Sequence, residues 1–178
     1  MKKLTIFSLA LIFAYTSCKK STSTPPSIVG TWKITNISGT TVYKGSPGAE
    51  ANTVSYVYAN SILTETNSAN SYLIIINSEL WSFNNDGSFG IYENYIADTT
   101  SVSTADTITG WWDYTSSTIP NSNIVLRSLG TPNIVPIGGA FLIQSVSNTQ
   151  LVLTVDESNV SSTGVTNKKD FTLTFSRQ

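Results

Sequence analysis

From Ile28 onward, apolar and polar residues alternate with a period of two, and this alternation restricts the possible folds of the chain more than any other feature. No long stretch in this part of the sequence keeps the apolar period of a helix. The chain also carries 26 Ser, 25 Thr and 15 Asn, whose side chains compete with helical backbone hydrogen bonds. The sequence therefore predicts an all-β domain.

Eight to nine strands are expected from the alternating segments. The predicted strands are 28–35, 53–59 with an extension toward 66, 72–76 with 80–83, 89–95, 107–115, 124–129, 140–146, 151–155 and 171–175. Hairpin turns are predicted at 84–88, where Gly87 supplies a positive φ, and at 147–150. Longer irregular loops are expected at 38–52, 97–106, 130–139 and 156–169.

The fold class that follows is an antiparallel meander β-barrel of about eight strands. Closure into a barrel is favoured because it leaves no strand edge unpaired. A two-sheet β-sandwich is the alternative, since the number and spacing of the strands fit both architectures.

The content of charged and catalytic residues argues against an enzyme and against a nucleic-acid partner. The chain has 10 Lys and Arg, 11 Asp and Glu, one Cys and no His, so the usual general base, disulfide and zinc ligand set are lacking. Nucleic-acid binding relies on clustered basic residues, which this sequence does not have. We therefore expect no catalytic residues, no cofactor and no metal. A carboxylate pair such as Glu93 and Asp113 on neighbouring strands is the remaining enzymatic alternative, because glycosidases use two carboxyls ~5 to 9.5 Å apart.

The first 17 residues have the pattern of a secretory signal peptide. Lys2 and Lys3 precede an apolar run at 4–15, which is too short to span a bilayer as a helix, and small residues follow it. The segment Tyr15-Thr16-Ser17-Cys18 resembles the lipobox of bacterial lipoproteins. That resemblance implies cleavage before Cys18, acylation of Cys18 and anchoring in a membrane through several acyl chains. A secreted protein with an incidental free thiol is the alternative.

Residues 18–27 are polar, end near two prolines and are expected to form a flexible tether that joins the lipidated Cys18 to a domain at 28–178. Residue 19 is Lys and no acidic cluster follows the cysteine. By analogy with the sorting of such lipoproteins, this favours the outer membrane of the cell envelope. Whether the domain faces the periplasm or the cell surface stays open, as does the oligomeric state.

The two ends of the predicted domain carry a short shared pattern. The first predicted strand contains Gly30 and Trp32, and the last is followed by Arg177. This pattern resembles that of lipocalins and lipocalin-like proteins, and the segments 83–89, 110–112, 141–143 and 151–153 resemble the lipocalin-like domains of Bacteroidetes lipoproteins. In that family the tryptophan fills the closed end of the barrel and the arginine lies across its ring, a cation–π contact worth ~0.5 to 2 kcal/mol. The glycine is then expected to leave room for the packed ring.

Large aromatic residues are the candidates for a ligand site. Those expected inside the barrel or near its mouth are Tyr56, Tyr58, Phe89, Trp112, Tyr114 and Phe141. They either line a pocket for a small apolar ligand or simply fill the core. Trp111 lies on the opposite strand face, where it either packs under a loop or forms a surface contact.

Two functions from different classes follow. The first is a cell-envelope lipoprotein whose lipocalin-like barrel binds or carries a small hydrophobic ligand. The second is a non-enzymatic interaction or accessory module of the outer membrane whose barrel interior is filled with its own side chains.

Overall fold

A computed structural model describes residues 27–45, 49–97, 102–114, 123–128, 140–160 and 166–178. These parts of the chain form ten antiparallel strands and no helix. The strands are β1 (Gly30–Lys44), β2 (Asn52–Ala59), β3 (Ile62–Thr66), β4 (Ser71–Phe83), β5 (Ser88–Ala97), β6 (Ser103–Tyr114), β7 (Asn123–Ser128), β8 (Ala140–Val146), β9 (Gln150–Val160) and β10 (Thr166–Arg177).

Successive strands pair with each other, and β1 pairs with β10 to close the sheet into a ring. The predicted all-β meander barrel is confirmed, and the sandwich alternative is not what the chain forms. The predicted signal peptide at 1–17, Cys18, the predicted tether up to residue 26 and the predicted loop at 130–139 lie outside the described residues.

The described residues form ten strands instead of the expected eight to nine, and β1 changes its partner along its length. Gly30–Lys33 pairs with β4, whereas Ser38–Tyr43 pairs with β2. The hairpin of β2 and β3 is thereby inserted between β1 and β4. We call the part of the barrel where β1 pairs with β4 the narrow section, since eight strands (β1 and β4 to β10) surround it. The wide section is the part where β1 pairs with β2 and the inserted hairpin of β2 and β3 belongs to the ring.

The predicted strand at 53–59, with its extension toward 66, is two strands joined by a tight turn. Asn60 and Ser61 both have positive φ, at 53° and 63°. Two successive residues in this region fit the twist of a two-residue hairpin, and Asn adopts it more readily than most residues. The backbone carbonyl of Ser61 accepts a hydrogen bond from the amide of Ile76 at 2.8 Å, so the tip of the hairpin is fixed against β4.

Three of the predicted loops are largely strand. β1 continues to Lys44, β6 begins at Ser103, and β9 and β10 extend through most of 156–169. The expectation failed because inward-facing positions there, such as Thr41, Glu157 and Lys169, are not apolar, so the sequence shows no apolar alternation. Backbone pairing continues because Thr suits a strand and the interior of the wide section accepts polar side chains.

The two predicted hairpin turns are confirmed. Gly87 has a φ of 82°, and the Asn84 amide donates to the Ser88 carbonyl at 2.9 Å. In the second turn, the Ser147 amide donates to the carbonyl of Gln150 at 2.8 Å, and the Ser147 hydroxyl accepts from the Gln150 amide at 2.9 Å. Both turns lie at the end of the barrel that the narrow section forms.

Aromatic side chains fill the narrow section. Trp81 is fully buried, with its ring centroid 5.1 Å from that of Phe175, 5.7 Å from that of Phe141 and 6.4 Å from that of Phe83. The Phe141 ring stands edge-on to Trp81, a geometry that aromatic pairs prefer. This cluster occupies the axis of the eight-stranded ring, so the narrow section is a packed core.

Gly39 is required by close packing between β1 and β10. A Cβ on Gly39 would overlap the carbonyl oxygen of Asp170 and lie 2.7 Å from Cα of Phe171. A Cβ on Gly90, also in a strand, would meet its nearest atom, the carbonyl oxygen of Ile108, at 3.9 Å.

We expect Gly39→Ala to lower the free energy of unfolding by about 1 to 3 kcal/mol, because the backbones of β1 and β10 must separate. Gly90→Ala should change it by less than about 1 kcal/mol. Urea denaturation of the two variants and the wild type checks this. Equal effects of the two substitutions would show that β1 and β10 do not pack as closely as described.

Candidate functional site

The end of the narrow section is closed by Trp32 and Arg177. The Trp32 ring is buried, and its Nε1 donates a hydrogen bond of 2.6 Å to the carbonyl of Ile28. The guanidinium carbon of Arg177 lies 4.5 Å from the Trp32 ring centroid, and Nη2 donates to the carbonyl of Ser27 at 2.6 Å. The predicted contact between the arginine and the tryptophan is confirmed.

Gly30 serves this contact in a different way from the expected one. A Cβ at this position would lie 3.3 Å from Nη1 of Arg177, so the glycine leaves room for the guanidinium rather than for the Trp32 ring. Its φ of 137° also lies in a region that other residues rarely adopt.

The six aromatic ligand candidates are not brought together in one site. Phe89 and Phe141 are buried in the core. Trp112 is partly buried beside the turn of β4 and β5, where its amide donates to the carbonyl of Gly87 at 2.7 Å and its ring packs edge-on against Tyr114.

The other two candidates, Tyr56 and Tyr58, lie on β2 and therefore belong to the wide section. Tyr56 is 8% exposed, and its ring centroid lies 5.2 Å from that of Phe171. Tyr58 is partly buried and packs against the core. Only these two of the six remain as candidates for a site in the wide section.

Trp111 faces outward, as its strand position predicts. It is 60% exposed and borders a shallow cleft of about 200 Å³. The cleft is also lined by Asp86, Gly87, Trp112, Asp113 and Arg127. No loop among the described residues covers Trp111.

Two glutamates that the sequence did not single out as a pair lie inside the barrel. Glu79 on β4 and Glu93 on β5 are directly opposite each other in the strand register, and they are 1% and 0% exposed. Glu79 is adjacent to Leu80, which forms the last pair between β4 and β1 at Lys33. The two carboxyls therefore lie where the narrow section gives way to the wide section.

The Glu79 carboxyl accepts a hydrogen bond from Trp81, which lies in the narrow section. Nε1 of Trp81 donates to Oε1 of Glu79 at 2.9 Å. The second oxygen, Oε2, is buried and has no hydrogen-bond partner among the described residues. A buried polar atom without a partner costs about 1 to 3 kcal/mol.

Burial raises the pKa of Glu79 to about 8, and the negative charge of Glu93 adds to this, whereas the hydrogen bond from Trp81 opposes it. Glu79 therefore carries a proton at neutral pH. Burial also raises the pKa of Tyr95, which follows Glu93 on the same face of β5, and the charges of Glu93 and Asp106 add to that shift.

Asp106 is a third carboxylate beside the Glu79–Glu93 pair. It lies opposite Glu93 in the register of β5 and β6, and it is exposed. Asp113, in contrast, is exposed on the outer face of β6, opposite Val125. The suggested pairing of Glu93 with Asp113 is therefore wrong, because the two side chains project from opposite faces of the sheet.

The interior of the wide section carries both apolar and charged side chains. Inward-facing residues of β3 and β4 include Leu63, Ile74 and Ile76. On the opposite wall, β9 and β10 present Glu157 and Lys169, which pair directly in register.

Within the described residues, no group of three or more His, Cys, Asp or Glu side chains could hold a metal ion. The same residues contain no helix long and apolar enough to cross a membrane. No family model, curated protein or solved structure matches the chain.

We expect Glu79 to make the protein less stable as the pH rises. Because the folded-state pKa is raised above the unfolded value, the stabilising contribution of the protonated carboxyl is complete below the ordinary pKa of glutamate, ~4.3. It is lost as the pH rises from there through about 8. The slope approaches about 1.4 kcal/mol per pH unit within this window.

Glu79→Gln should flatten this dependence, because the amide stays neutral at every pH. Urea denaturation between about pH 5 and about pH 9 measures it, with Asp113→Asn as the control for loss of an exposed carboxylate. If the wild type and Glu79→Gln showed parallel pH profiles, Glu79 would not titrate in this range.

Arg177→Met should lower the free energy of unfolding by about 1 to 3 kcal/mol, since it removes both the cation–π contact and the charged hydrogen bond to Ser27. Lys33→Met is the matched control, because Lys33 is an exposed cation at the same end of β1. It should change the stability by less than about 0.5 kcal/mol. A similar loss in both variants, measured by urea denaturation, would contradict a specific role for the Arg177 contact.

Proposed function

We propose that the protein is a cell-envelope lipoprotein whose barrel binds a small, mainly apolar ligand in its wide section. The observation that carries this proposal is the insertion of the hairpin of β2 and β3 into the ring, next to a packed aromatic core. The diameter of a barrel grows with its number of strands, and an eight-stranded ring is just filled by its own side chains. The two inserted strands are therefore the basis for proposing a larger interior in the wide section.

The side chains of the wide section support a ligand with an apolar body and a polar end. Leu63, Ile74 and Ile76 supply apolar surface, and Tyr95 lies opposite Ile76 and follows Glu93 on the same face of β5. Small-molecule sites commonly combine an apolar lining with a few polar groups that fix orientation. The Trp32–Arg177 contact adds to the resemblance to lipocalin-like domains, and the lipobox at Cys18 supplies the proposed membrane anchor.

Two measurements test this proposal. Native mass spectrometry of the full-length protein, purified from its own membrane, should detect a bound small molecule. The neutral fluorescent probe N-phenyl-1-naphthylamine should bind the wild type with increased emission. Thr104→Trp should weaken this binding, because Thr104 lies opposite Tyr95 on the inward face of β6.

Thr107→Trp is the control, since Thr107 pairs with Tyr92 on the outer face of the same strand. It should leave probe binding unchanged. A wild-type protein that carries no ligand and binds no probe would refute the proposed function.

The exposed Trp111 favours a second candidate function, an interaction module of the envelope. The cleft beside Trp111 offers Asp86, Asp113 and Arg127 as polar neighbours of a large exposed ring. Aromatic residues with Arg nearby are typical of energetically important contact sites. If this function were the correct one, Trp111→Ala would abolish cross-linking to an envelope partner while Thr104→Trp would not.

A further inference from the structure

We propose that Glu79 and Glu93 bind the protonated amino group of a small amphiphilic amine, whose apolar body lies against β3 and β4. This inference rests on the proposed ligand-binding function and names the chemical class of the ligand. It arises from the two carboxyls at the base of the wide section and from the unpartnered oxygen of Glu79.

The position of the two glutamates allows one group to contact both. Directly opposite residues of antiparallel strands have Cβ atoms about 4.5 to 5.5 Å apart, so the carboxyls of Glu79 and Glu93 lie within reach of a single small donor. Trp81 occupies Oε1 of Glu79 and so fixes the plane of the carboxyl. Oε2 is left for a ligand and accepts from it once the carboxyl proton has been released.

An ammonium group fits this set of acceptors better than other groups. It carries three donors and no acceptor, whereas ionised carboxylates only accept. An anionic ligand would be repelled, and a neutral alcohol supplies one donor. As the amine binds, its positive charge favours the ionised form of Glu79, so the carboxyl proton of Glu79 is released to water.

The charged groups around the wide section favour binding of a cation at the wall formed by β4 and β5. The charged groups that face the interior of the wide section are Glu65, Glu79, Glu93, Asp106, Glu157 and Lys169. Lys169 is the one cation among these described residues, and it lies opposite Glu157 in register. In the ring of ten strands, β9 and β10 are on the far side from β4 and β5.

Apolar surface lies next to the carboxyl pair. Ile76, on β4, is buried and lies opposite Tyr95 of β5, and Ile74 lies opposite Leu63 of β3. A ligand whose ammonium group contacts Glu79 would place its hydrocarbon part against these residues. Burying that part stabilises the complex by the hydrophobic effect, while the ammonium determines its orientation.

Isothermal titration calorimetry of the full-length protein tests the inference with three probes of similar shape, namely 2-phenylethylammonium, 2-phenylethanol and 3-phenylpropionate. The wild type should bind the ammonium about tenfold or more tightly than the alcohol, because each hydrogen bond to a charged group contributes strongly. Its affinity for 3-phenylpropionate, the carboxylate probe, should be the lowest of the three.

Glu79→Gln and Glu93→Gln should each reduce the affinity for the ammonium to that for the alcohol, without changing the affinity for the alcohol. Asp113→Asn, which removes an outward-facing carboxylate, should leave all affinities unchanged. Two separate glutamine variants are used, so that a folding defect in one, checked by circular dichroism, leaves the other to decide the result.

The results separate this inference from the proposed function. If the ammonium binds no better than the alcohol, or if both glutamine variants keep the preference, the amine inference is overturned while binding of an apolar ligand stands. If N-phenyl-1-naphthylamine binds in the wide section but 2-phenylethylammonium does not, the amine inference alone is again overturned. If none of the probes binds, both the inference and the proposed function are wrong.

Discussion

β1 is hydrogen-bonded to β4 over its first residues and to β2 over its last residues, and the shape of the barrel depends on this change of partner. The change creates a gap in the sheet that the hairpin of β2 and β3 fills. Backbone donors and acceptors in a sheet must be paired when buried, so the inserted hairpin completes the ring. The hairpin thereby adds two strands to the ring within one sheet.

Two bulges lie close to this transition. The register shifts between Ile34 and Asn36 on β1, and between Ile76 and Ser78 on β4. A bulge bends its strand, increases the local twist and moves the following side chains to the other face. On β4, the shift turns Glu79 inward together with Trp81, and this places a carboxyl at the base of the wide section.

The two sections of the barrel consequently have different interiors. In the narrow section, buried aromatic rings such as Trp81 and Phe175 pack together and the Trp32–Arg177 contact covers the end. In the wide section, inward positions include polar and charged groups. The buried, unpartnered Oε2 of Glu79 lies between the two sections.

Local sequence patterns determined the strand type, the two hairpin turns and the outward position of Trp111, because alternation and turn chemistry act over a few residues. The resemblance of the two ends also predicted the contact between Trp32 and Arg177. Only the tertiary structure decided that β1 has two partners and that Glu79 faces Glu93. Both depend on pairing between distant segments. A single bulged residue also changes which side chains of a strand face inward, and the alternation of residue types along one strand does not reveal this.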